Sequence, residues 1–97
     1  MKYNKNIINT LVETNEHDYN LLKASEELQE LSLVLTQLVN KPNKVKTKEV
    51  IDEIGDVKIR LKILEKLFDS EQIQERVDFK MNKFKGYLEN DEYKGKI

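Results

Sequence analysis

The chain is predicted to be all-α, an antiparallel helical bundle built on two long helices and completed by dimerisation. Three glycines and a single proline in 97 residues leave few breaks for a many-stranded sheet. A hydrophobic fraction of 38% beside a charged fraction of 36% is the balance of strongly amphipathic helices. Apolar residues recur every three or four positions through most of the chain, which is the helical period. The length allows one core, so residues 1–88 are read as one domain and 89–97 as a polar tail.

Lys5 to Glu13 reads as a short helix with Ile7, Ile8, Leu11 and Val12 on one side, followed by a polar break at Thr14-Asn15-Glu16. From about Asp18 to Val39, the residues Leu21, Ala24, Leu28, Leu31, Leu35 and Leu38 form one apolar stripe. Pro42 disfavours helical geometry at Lys41, and the flanking asparagines suit a turn. A lysine-rich connector leads to Thr47, an expected N-cap for a second long helix striped by Val50, Ile51, Ile54, Val57, Leu61, Leu64 and Phe68. Asp69 to Gln72 reads as a capping box that opens a third major helix carrying Ile73, Val77, Met81, Phe84 and Leu88.

Composition narrows the function classes. Seventeen basic against eighteen acidic residues leave a net charge of -1, without the basic excess of sequence-independent nucleic-acid binders. Lys80, Lys83 and Lys85 would have to act together for nucleic-acid binding. No apolar stretch approaches the roughly 18 residues of a membrane span, and the absence of cysteine excludes thiolate metal sites and disulfides. The expectation is a cytoplasmic protein that works neither in a membrane nor on nucleic acid. Leu22 and Leu33 on the first long helix, and Ile59, Ile63 and Leu67 on the second, lie outside the main stripes. Their exposure is avoided most simply in a homodimer or tetramer.

The chemistry is concentrated in two carboxylate pairs, Glu27-x-x-Glu30 and Glu53-x-x-Asp56. Folding the chain back at Lys41-Pro42 sets Glu27 level with Asp56 and Glu30 level with Glu53. At about 100° per residue, Glu27 and Glu30 lie about 260° and 200° around the axis from Leu28, and Glu53 and Asp56 repeat those angles from Ile54. The inner acids thus border the buried stripe, whereas Glu26 and Asp52 point away from it. Four carboxylates brought together repel one another and lose hydration, and a divalent cation removes that conflict. Oxygen-only donors suit a hard ion, and magnesium that keeps waters and bridges to substrate phosphates fits better than an enclosed calcium cage. Gly55, inside a helix, costs about 1 kcal/mol relative to alanine and implies close approach of a neighbouring helix or a ligand.

Lys23-Ala-Ser-Glu-Glu-Leu-Gln-Glu30-Leu and Asp52-Glu-Ile-Gly-Asp56-Val resemble the E-x-x-E and E-x-x-D motifs of the MazG-like, all-α nucleoside triphosphate pyrophosphohydrolases. The acids, the glycine of the second motif and the flanking aliphatics are kept. Gln29 stands where glycine is common, and Asp52 where glutamate often stands. The resemblance covers roughly Tyr19 to Leu88. It implies that Glu27, Glu30, Glu53 and Asp56 hold magnesium, for which manganese can substitute, and that one of them orients or deprotonates the attacking water. It further implies cleavage of a nucleoside triphosphate between the α and β phosphates to monophosphate and pyrophosphate. Lys80-Met-Asn82-Lys83 is similar to the family's lysine and asparagine cluster near the phosphates.

Lys23 and Arg60 each lie about one turn from an acidic pair, and are salt-bridge partners or phosphate contacts. Lys41, Lys44, Lys46 and Lys48 sit too far along the helices for the same site, and His17 reads as an ordinary polar residue at a helix start. The competing expectation is a catalytically silent helical module that dimerises and binds a protein partner.

Overall fold

The computed structural model describes residues 3–90, Gly95 and Ile97. All regular structure among these residues is helical: α1 (Lys5–Thr14), α2 (His17–Asn40), a 3-10 turn (Pro42–Lys44), α3 (Thr47–Leu67) and α4 (Ser70–Glu89). No helix is long and apolar enough to cross a membrane among the described residues. The chain divides into two compact units, Met1–Leu67 and Phe68–Ile97.

In the first unit α3 is central, packing against both α1 and α2. Asn4 opens α1, its side-chain oxygen accepting from the amides of Asn6 and Ile7 at 3.0 and 3.1 Å. Asn20, only 1% exposed, joins the first two helices: its Nδ2 donates to the Leu11 carbonyl at 3.4 Å, and Asn15 Nδ2 donates to its Oδ1 at 3.5 Å. A buried amide satisfied in this way fixes where α2 starts relative to the end of α1. Pro42 begins the 3-10 turn, where its missing amide hydrogen goes unneeded, and Val45 tucks into the core just after it. Among the described residues, Ile8, Ala24, Val45, Val57 and Ile63 are the buried apolar ones.

The structure corrects three details of the sequence reading. Thr47 is the first residue of α3 rather than its cap, because the Lys46 carbonyl already accepts the Glu49 amide at 3.0 Å. The buried strips are rotated from the expected stripes: Leu28, Leu35 and Ile54 are each 43% exposed and Leu61 is 44% exposed. On α2 the covered positions include Leu21, Ala24, Glu27, Leu31 and Val34, and on α3 they include Val50, Glu53, Val57, Arg60, Ile63 and Leu64. A helix buries only what faces its neighbours within the chain, so part of a broad apolar stripe stays outside. Ile63, expected off the stripe, is 1% exposed, on a helix that has α1 as a second neighbour besides α2.

The second unit is built on α4. Asp69 caps it, accepting from the Glu71 and Gln72 amides at 3.0 and 3.2 Å, and Gln72 Nε2 returns a bond to Asp69 Oδ2 at 3.2 Å. Val77, Met81 and Leu88 are exposed, and Ile73 and Phe84 are half-buried. Most of the expected polar tail, 89–97, lies outside the described residues.

Candidate metal centre

The rotation of the buried strips brings carboxylates into the packed face between α2 and α3. Glu27 and Glu53 are half-buried, and Glu30 and Asp56 are exposed at its margin. One carboxylate oxygen from each of Glu27, Glu30 and Glu53 lies within 4.8 Å of the other two. Small side-chain rotations would let all three reach one divalent ion. Asp56 stands beside this triad, lining a small cleft with Glu27.

The electrostatics of the group are unrelieved. Oε2 of Glu27 and Oε2 of Glu53 are shut off from solvent and have no hydrogen-bond partner. Burial pushes the Glu27 carboxyl above its ordinary 4.5, and the nearby carboxylates of Glu30 and Asp56 push it further, with only Lys23 pulling the other way. Buried oxygens without partners are costly, and hard oxygen donors of one sign are what magnesium or manganese takes. The donor set therefore fits such an ion.

Lys23 is drawn to Glu26, at 3.3 Å, rather than to the motif acids, and that pairing holds its ammonium above the usual lysine range. Its charge still reaches Glu27. Arg60 differs. It is half-buried, its Nη1 has no hydrogen-bond partner, and it lines a cleft of about 150 Å³ with Glu27, Asp56 and Ile59.

Gly55 opens a second, larger cleft. A Cβ placed on it would meet nothing within 4 Å, so close approach of a neighbouring helix is not the reason for this glycine. Gly55 and Asp56 instead line a space of about 640 Å³ with Tyr3, Ile51, Asp52, Lys58 and Ile59. Tyr3 is held there under Lys62, whose ammonium lies 5.5 Å from the ring centre. Tyr3 carried no signal in the sequence, since it precedes the first periodic segment.

Lys80, Asn82 and Lys83 belong to α4 in the second unit. Each lysine lies over the ring four residues ahead, Lys80 over Phe84 at 5.8 Å and Lys83 over Tyr87 at 5.9 Å. Lys48, expected in the connector, lies in the first turn of α3 and pairs with Asp52 at 2.8 Å.

No protein-family model matches the chain, and neither the curated proteins nor the solved structures compared with it match.

Proposed function

We propose that the protein is a magnesium-dependent nucleoside triphosphate pyrophosphohydrolase, with Glu27, Glu30, Glu53 and Asp56 as the cation-holding set. The observation that carries this reading is the convergence of three carboxylate oxygens within 4.8 Å, two of the acids having a buried, unpartnered oxygen. Such a cluster is unfavourable alone and becomes favourable around a divalent cation. The resemblance of both motifs to the MazG-like enzymes gives the reaction class.

Magnesium bound there would neutralise the polyphosphate and polarise the attacked phosphorus. The protein's own share is positional. Glu27, Glu30, Glu53 and Asp56 would hold the cation, and one of these acids would take a proton from the attacking water. Water oxygen bonds to the α phosphorus as the bridging oxygen between the α and β phosphates leaves with pyrophosphate, and the displaced proton passes through the carboxylate to solvent. Nothing is oxidised or reduced, and no covalent enzyme intermediate is needed. The open space at Gly55 and Tyr3, adjoining Asp56, is of a size to receive the nucleoside. Lys80, Asn82, Lys83 and Lys23 are assigned supporting roles toward phosphate on the motif resemblance and on Lys23's position one turn from Glu27.

The active form in this reading is an antiparallel bundle completed by a second copy, as a homodimer or tetramer. It rests on the exposure of Leu28, Leu35, Ile54 and Leu61 in the single chain.

The test is chromatographic product analysis of the pure protein with each ribo- and deoxyribonucleoside triphosphate, in magnesium and in EDTA. Monophosphate and pyrophosphate, formed only with magnesium, are expected. No turnover of any of them, by a folded protein, would leave the partner-binding helical module as the better account.

A further inference from the structure

We propose that Arg60 is the anchor for a phosphate oxygen of a cation-bound polyphosphate, in the cleft it shares with Glu27 and Asp56. This rests on the reading of the carboxylates as a divalent-cation site. Three observations carry it.

Arg60 stands four residues after Asp56 on the same face of α3, the usual spacing for an ion pair, and Glu27 lines the same cleft. Even so, Arg60 forms no ion pair with either acid, and its Nη1 is shut off from solvent without a partner. The Oε2 atoms of Glu27, which lines the cleft, and of Glu53 are likewise buried and unpartnered.

These two deficits are of opposite kinds. The guanidinium has only donors to offer and needs an acceptor, whereas the ionised carboxylates can only accept and need a positive charge. An oxyanion alone would meet the acids and be repelled, and a cation alone would leave the guanidinium unsatisfied. A cation on the carboxylates with an oxyanion bridging it to Arg60 satisfies both sides at once. The planar fork of arginine suits a phosphate held by two oxygens, and the apolar flank of Ile59 strengthens the interaction by displacing water.

The test titrates inorganic pyrophosphate into manganese-saturated protein by calorimetry, comparing wild type with Arg60→Gln and Arg60→Lys. Pyrophosphate binding is expected to weaken at least tenfold in Arg60→Gln and less in Arg60→Lys, while manganese affinity without pyrophosphate stays within threefold. Unchanged pyrophosphate affinity in Arg60→Gln overturns the proposal. So does a tenfold loss of manganese affinity, which would make Arg60 a brace for the acids. A second readout needs no variant at position 60. The chain has two arginines, Arg60 and Arg76, so their guanidinium Nε–H signals are assigned with Arg76→Lys. The Arg60 signal is expected to move when pyrophosphate is added in magnesium, and its failure to move overturns the proposal whether or not Arg60→Gln folds. Wild-type protein that binds no manganese would instead overturn the cation reading itself, and this inference with it.

Discussion

At the scale of single residues, Glu27 is the group whose protonation reports the site. The unfolded chain titrates it near the ordinary 4.5 and the folded chain higher, because burial and the charges of Glu30 and Asp56 oppose its ionisation. Between those two values the folded state holds the extra proton, so this group's contribution to stability is fully present below 4.5 and is lost as pH rises through the folded pKa. In EDTA, Glu27→Gln should therefore melt at a higher temperature than wild type at neutral pH. The gap should narrow as pH falls through the folded pKa and close below 4.5, as followed by circular dichroism. Magnesium should reverse the order at neutral pH, because the variant lacks a ligand. The acids were legible in the sequence because i, i+3 spacing survives any rotation of the helix. The isolation of Arg60 was not, because whether a guanidinium finds an acid depends on side-chain geometry across two helices. Lys23 and Arg60 looked alike in the sequence, and the structure separates them.

Among the elements, boundaries were more legible than faces. Asp69 was recognised as a cap from its spacing to Gln72, and Asp69→Ala should cost about 1 kcal/mol, seen as faster hydrogen exchange of the Glu71 and Gln72 amides. Asn20 was passed over because an asparagine inside an apolar stripe resembles a defect until its partner, the Leu11 carbonyl at the end of α1, is in place. Asn20→Ala should destabilise the protein by about 0.5–1.5 kcal/mol in urea titrations, since it removes the buried amide's bonds to the Leu11 carbonyl and to Asn15. The expected stripes were centred on Leu28 and Ile54, and the packed faces instead run through Glu27 and Glu53. Hydrophobicity alone could not choose between them, since a broad stripe has two edges and the neighbouring helix covers one. Gly55 has room for a side chain, so Gly55→Ala should stabilise α3 by about 0.5–1 kcal/mol, measured by thermal denaturation. If the adjoining cleft receives the nucleoside, the same change should weaken nucleotide binding while sparing the cation.

For the whole molecule, the apolar surface left by a single chain is what a second copy would cover. Leu28, Leu35, Ile54 and Leu61 are all more than 40% exposed, and each heptad-spaced pair lies on one long helix. Sedimentation equilibrium should return a multiple of the 11.5 kDa chain mass, falling to the monomer in Leu28→Glu/Leu61→Glu. The all-α class was legible from periodicity and from the scarcity of breaks. The division at Phe68 was not, because the Asp69 cap reads identically whether or not the following helix belongs to the same compact unit. Whether α2 and α3 present their acids to one divalent cation is read by manganese titration at neutral pH, followed by electron paramagnetic resonance. Wild type should take up manganese, competed away by magnesium, and Glu53→Gln should bind at least tenfold more weakly while staying folded. Equal binding by the two proteins, or none by wild type, would contradict the account.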